Sequence, residues 1–172
     1  LNNQGKETGD VTKKFSLHKK LDKNEKIVEK LLMKVSDIYL KKNFGKFNSE
    51  VVLTRIKHFD RTFETSEVYS NKWHLDSDLG FRQCKVFLLL HDVGINDGPL
   101  IYLSRVNTKK YWSKISDRNS FESFRNMFVF PEQEKFIGKK GDILILNTSL
   151  CAHRASIPDN IRDMLVMTFV SK

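Results

Sequence analysis

The sequence predicts a mainly β domain, a sandwich or barrel of short strands with one amphipathic helix packed outside it. Two observations carry this. After Gly45, apolar segments of strand length recur at fairly even spacing with no helical pattern between most of them. Before Gly45, the apolar residues Ile27, Val28, Leu31, Leu32, Val35, Ile38 and Tyr39 recur at three- and four-residue steps, with Lys and Glu filling the other face.

In chain order, residues 1–20 are polar and lysine-rich and read as an arm; residues 21–172 form the single domain. Asp22 or Asn24 can cap the helix, and Asn43 with Gly45 ends it. Strands are expected at Val51 to His58, Glu67 to Trp73 and Arg82 to Val93, the last holding the apolar run Val86-Phe87-Leu88-Leu89-Leu90. The turn signal Asn96-Asp97-Gly98-Pro99 introduces Leu100 to Leu103. Asp142 to Asn147, Cys151 to Ala155 and Met164 to Val170 complete the set. Residues 106–140 are mixed and rich in aromatic side chains, and read as a helix with a long insertion over one end of the barrel. Trp112 and the Phe residues there are expected to pack the insertion.

Composition excludes several classes. A chain of 172 residues with 40% hydrophobic and 30% charged content fits one globular domain. No apolar run approaches bilayer-spanning length, and the first 20 residues lack the apolar centre of a signal peptide, so a cytoplasmic location is expected. Cys84 and Cys151 lie far apart and form no zinc or disulfide spacing. The net charge of +9 favours anionic partners, but its lysines fall in separated pairs, with no basic helix and no basic motif interleaved with aromatics. A nucleic-acid-binding role is therefore not expected.

The chemistry is sought in His-x-Asp, because two side chains one residue apart in an extended segment point the same way. Two imidazoles and one carboxylate on one face suit iron(II) with positions left open. The pattern occurs twice, as His58-Phe59-Asp60 and His74-Leu75-Asp76. Only the second has matching context: a long apolar strand follows it, then a Gly-Pro turn, then His153 in Ser149-Leu150-Cys151-Ala152-His153-Arg154, and Arg162 nine residues later. His58 and Asp60 are read as structural, and His91 as a surface residue.

This series resembles the phytanoyl-CoA dioxygenase-like family from about Val51 to the C-terminus. It is carried by Lys72-Trp73-His74-Leu75-Asp76, Lys85-Val86-Phe87-Leu88-Leu89-Leu90-His91-Asp92-Val93 and Asn96-Asp97-Gly98-Pro99-Leu100. The resemblance implies a double-stranded β-helix (a jelly-roll, cupin-like fold), with iron(II), 2-oxoglutarate and dioxygen as cofactor and co-substrates. It makes His74, Asp76 and His153 the metal ligands, and Arg162 the partner of the distal 2-oxoglutarate carboxylate, a task suited to a planar guanidinium. Ser156, offset by one residue, together with Lys85 and Phe87, would line the co-substrate pocket; Trp73 and Arg105 are candidate substrate contacts. Related halogenases replace the carboxylate with a small residue, so Asp76 implies hydroxylation, with succinate and carbon dioxide as co-products. Where the family continues into Pro-Gly-Ser-His, this chain has Tyr102-Leu103-Ser104-Arg105-Val106-Asn107, which leaves the small-molecule substrate open. The chain is also shorter than most members before its first strand, as a trimmed or pared-down variant would be. The rival readings are a metal-dependent cupin-type enzyme that does not use 2-oxoglutarate, and a catalytically silent ligand-binding barrel. Oligomeric state is not legible.

Overall fold

Period-two alternation in the apolar strands builds two sheets that share one core. The computed structural model describes residues 12–16, positions within 26–40, and residues 52–58, 72–76, 82–116, 129–156 and 162–171. Its strands are β1 (Thr12–Ser16), β2 (Val52–His58), β3 (Arg82–Leu89), β4 (Leu100–Tyr102), β5 (Glu134–Phe136), β6 (Ile143–Leu146), β7 (His153–Arg154) and β8 (Arg162–Ser171). Two short helices, α1 (Arg105–Lys110) and α2 (Trp112–Ser116), follow β4. One sheet has the order β1-β2-β8-β3-β6 and the other β5-β4-β7. Every pairing in them is antiparallel. A bridge between His74 and His153 attaches residues 72–76 to the second sheet beside β7. From β2 onward the chain therefore runs large sheet, small, large, small, small, large, small, large.

β3 is covered on both faces, which is why it reads as an unbroken apolar run. Cys84 and Val86 pack with Leu165, Met167 and Phe169 of β8 and with Leu40 on the outer side. Phe87 and Leu89 turn the other way and meet Met164, Val166, Leu100, Phe136 and Leu146 between the sheets. A third layer, Trp73, Ile101, Leu103, Ile115, Phe130 and Ala152, covers the outside of the small sheet. Burying each such side chain contributes about 1.5–3 kcal/mol.

Several expectations are refined. Part of the expected arm forms β1, which pairs with β2 from Thr12↔His58 to Ser16↔Thr54. The described positions within 26–40 are helical. Yet Ile27, Leu31 and Ile38 of the predicted stripe are exposed, while Leu40 is buried and Met33 packs beside it. The three exposed positions lie off the face that buries Leu40. Val28, Leu32, Val35 and Tyr39 lie outside the described residues, as do Glu67 to Asn71 of the strand expected before Trp73. The 106–140 stretch is not wholly an insertion: it contains β5, which pairs with β4 through Leu100↔Phe136. Phe121, Phe124 and Phe128 lie outside the described residues. Ser104, in the unusual loop, caps α1 by accepting from the Asn107 N–H at 3.2 Å. Among the described residues no helix is long and apolar enough to cross a membrane.

Met167, wholly buried in the outer cluster, supplies a stability test. Met167→Ala is expected to lower the unfolding free energy by about 2–5 kcal/mol in urea titrations. Val129→Ala, at a side chain 65% exposed, should stay within about 0.5 kcal/mol.

Candidate metal centre

Residues 72–76 alternate faces. Trp73 and Leu75 join the outer apolar layer, which leaves His74 and Asp76 together on the inner side. His74 and His153 face each other across the bridge, each N–H donating to the other's carbonyl at 3.1 Å. Their rings lie 4.3 Å apart between centroids. His74 Nδ1 lies 2.7 Å from the Lys72 carbonyl and His153 Nδ1 3.1 Å from the Cys151 carbonyl. A carbonyl can only accept, so both Nδ1 atoms carry the proton, and the Nε2 lone pairs are left facing Asp76. Those Nε2 atoms lie 3.8 Å (His74 to Oδ1) and 3.6 Å (His153 to Oδ2) from the carboxylate. One ligand atom from each residue falls within 4.8 Å of the others.

The Asp76 segment is braced from behind. The Asp76 N–H donates to the Thr148 carbonyl at 3.0 Å. Ser149 Oγ donates to the Asp76 carbonyl at 3.2 Å while accepting from the Gln83 N–H at 2.6 Å. One hydroxyl in the 147–151 turn thus ties the ligand segment to the start of β3. No local sequence motif flags this, because its partners are backbone atoms more than 60 residues away.

The carboxylate is held in its ionised form here. Lys85, on the inner face of β3, places Nζ 2.7 Å from Asp76 Oδ2. Burial works to raise the Asp76 carboxyl, but Lys85, and after it His153, outweigh burial and hold it below the ordinary value. Burial, reinforced by His74, pushes the His153 imidazole down to about 3. Two imidazoles, that of His153 kept neutral by burial, beside a carboxylate held ionised form a donor set that fits iron(II) or a similar divalent ion.

Arg162 opens β8 with its side chain buried, on the same face as Met164 and Val166 between the sheets. Nη1 donates to the Gly98 carbonyl, and Nε is buried without a partner. Burial lowers the guanidinium to about 10, leaving it charged at neutral pH. Gly98 has φ +66°, a conformation that favours glycine, in the turn that presents this carbonyl. Ser156 Oγ donates to the adjacent Pro99 carbonyl. Arg162 and Ser156 therefore converge on one turn. Among the described residues no carboxylate pairs with Arg162, so a buried cation with spare donors faces the inter-sheet space.

Other predicted residues are placed differently. Phe87 is core between the sheets. Trp73 is 2% exposed, packs edge-on to Phe130 at 5.2 Å and lies under Arg154, whose Cζ is 5.6 Å from its ring centre. Its ring is thus outer-layer packing. Arg105 is exposed on α1, though its charge acts to lower the Cys151 thiol, which burial raises on balance. His91 is more than a surface residue: Nδ1 lies 2.7 Å from the Asp92 carbonyl and Nε2 accepts from the Asp163 N–H at 2.9 Å. It thereby fixes the backbone beside Arg162.

Two outcomes follow for the metal-free protein. The unfolded chain takes up a proton at its histidine near 6.5, while folded His153 resists it down to about 3. Stability is therefore full above about pH 6.5 and falls as the pH drops toward 3, by up to about 1.4 kcal/mol per pH unit. Urea midpoints measured between pH 7 and 4.5 should show this slope, and His153→Gln should flatten it. Ser149→Ala should cost about 1–3 kcal/mol and weaken divalent-metal affinity roughly 10-fold or more, read by calorimetric titration.

No family model matches the chain, and no curated protein matches it. Solved structures do. EvdMO1 superposes with a TM-score of 0.56 at 11% identity, over 92% of this chain and 35% of that one. EvdO2 from Micromonospora carbonacea var. aurantiaca, complexed with 2-oxoglutarate, gives 0.54 at 17% identity, over 88% of this chain and 66% of that one. HygX from Streptomyces hygroscopicus, with nickel and 2-oxoglutarate bound, gives 0.51 at 11%, over 94% and 70%. The chain thus spans less than two thirds of the length of EvdMO1 and of EvdO2. At these identities the likeness is one of fold, shared with proteins crystallised with 2-oxoglutarate and, in HygX, with a metal.

Proposed function

We propose that this chain is the catalytic core of an iron(II)- and 2-oxoglutarate-dependent dioxygenase that hydroxylates a small organic molecule, releasing succinate and carbon dioxide. The observation that carries the reading is the convergence of the His74 and His153 Nε2 atoms on the Asp76 carboxylate, one ligand atom of each residue lying within 4.8 Å of the others. The alternation of segments between two sheets supports a double-stranded β-helix. Within the oxygenases, the Trp-His-x-Asp segment and the Gly-Pro turn favour the phytanoyl-CoA dioxygenase-like branch. The net charge of +9 favours an anionic substrate.

In this reading His74, Asp76 and His153 hold the metal on one face, and their Nδ1–carbonyl contacts keep both rings in the ligating tautomer. When bound, iron(II) with 2-oxoglutarate and dioxygen supplies the oxidising chemistry. Arg162 binds the distal carboxylate of 2-oxoglutarate through the donors that Gly98 leaves over, and Ser156 steadies the turn beside it. Lys85 neutralises Asp76 before metal arrives and lies on the co-substrate side of β3. The apolar side chains around Phe87, Leu100 and Val166 exclude water from the space between.

The test is an anaerobic titration of metal-free protein with iron(II) and then 2-oxoglutarate, followed by visible absorbance. A weak charge-transfer band should appear only with both present. His74→Ala should abolish it, and Arg162→Ala should weaken 2-oxoglutarate binding roughly 10- to 150-fold, as for a lost charge-assisted contact. Metal binding without the band would favour a cupin-type enzyme that does not use 2-oxoglutarate. Failure to bind metal would favour a ligand-binding barrel.

A further inference from the structure

Beside α1 lies a cavity of about 260 Å³, separate from the inner face that carries the metal ligands. Leu75, Leu150 and Trp112 form its apolar lining, and the side chains of Arg105 and Lys109 border it, chiefly through their apolar stems. Leu75 belongs to the outer layer, so the cavity meets the reverse side of the ligand segment. Thr108 and Ser149 also line it, but their hydroxyls are engaged, accepting from the Ala152 N–H at 2.9 Å and the Gln83 N–H at 2.6 Å. The strongest polar groups left for a guest are the two cations.

We propose that this cavity is a binding site for a small organic anion with a flat apolar body. Arg105 and Lys109 lie four residues apart on α1, a spacing that places like charges side by side and disfavours the helix unless something neutralises them. Among the described residues no carboxylate pairs with either, whereas the neighbouring Lys110 is paired with Glu132 at 2.6 Å. Among the described residues no acidic one lines the cavity. The missing counter-charge is supplied by the guest. Trp112, 44% exposed despite its size, offers an indole face for a flat ring, and the leucines cover the ring's other contacts. The volume falls just below the roughly 300 Å³ at which drug-sized pockets begin, so a guest of one or two rings is the right scale. A carboxylate or phosphate on such a ring would meet Arg105 in a planar, two-pronged contact and Lys109 as a point charge.

The site goes beyond the oxygenase reading and is tested without metal or turnover. Calorimetric titration of the metal-free protein with 2-naphthoate should show saturable binding, at least roughly tenfold tighter than for uncharged 2-naphthol. Arg105→Ala and Lys109→Ala should each weaken naphthoate binding several-fold and leave naphthol binding unchanged; Trp112→Ala should weaken both. Raising the salt concentration should weaken naphthoate alone. Equal affinity for the two probes, no binding of either, or naphthoate binding indifferent to both cation substitutions would overturn the proposal. Because α1 is exposed at Arg105 and Lys109, these variants are expected to fold, and unchanged urea midpoints would verify it. An absent iron band with intact naphthoate binding would sink the oxygenase reading and leave this site standing; the reverse pattern would sink this site alone.

Discussion

The paired hydrogen bonds between the His74 and His153 backbones are the constraint on which the candidate centre depends. They join two segments nearly 80 residues apart in sequence and set both imidazoles opposite one another before any ligand is present. Asp76 follows automatically, since it lies two residues along the same extended segment. The rest of the local structure keeps this pair in place. The 147–151 turn holds Asp76 by its backbone, the outer layer of Trp73, Leu75 and Phe130 holds the opposite face, and β4 pairs with β7 through Tyr102↔His153. A bridge of two hydrogen bonds is weak alone. It persists because three neighbours would have to move for it to open.

The inner face also separates charge along the large sheet. At the metal end, an ammonium and a carboxylate are in contact, which lowers the cost of leaving either half-buried. Near the Gly98–Pro99 turn, no carboxylate among the described residues pairs with Arg162; a peptide carbonyl takes one donor and Nε is left without a partner. A buried cation without a carboxylate is destabilising unless a ligand completes it. The asymmetry gives the space between the sheets a direction: neutralised at one end and electropositive at the other.

Much of this was legible from residues. The long apolar run of β3, the turn at Asn96 to Pro99, and the strands of β2, β6 and β8 are local patterns set by burial and turn chemistry, and they emerge within a residue or a few of their predicted bounds. That His74 and Asp76 share a face was readable because extended geometry places i and i+2 on one side; His153 and Arg162 were singled out only through the family resemblance. What escaped depends on tertiary partners. β5 is three residues long and two of them are charged, so its identity comes from pairing with β4. Trp73 beside a ligand invites a substrate role, yet alternation sends it outward into the packed layer. His91 looked like a surface residue because nothing in its neighbourhood announces the Asp163 N–H arriving from β8. Of the helical stripe, the described Ile27, Leu31 and Ile38 end in the open, because burial is decided by what packs on the helix and not by its own periodicity.

The strict alternation along residues 72–76 makes assembly of the centre an all-or-none event. Slipping this segment by one residue against β7 would carry an imidazole and a carboxylate into the layer built from Phe130, Ile101 and Leu103, and expose Trp73 and Leu75 to the polar interior. Neither half of that exchange is tolerable, since the first strands a charge in an apolar layer and the second empties the layer of its largest ring. Intermediate, half-formed centres therefore have no low-energy register to occupy. The register thus brings His74 and Asp76 to the inner side together or not at all, opposite the His153 that β7 holds in place.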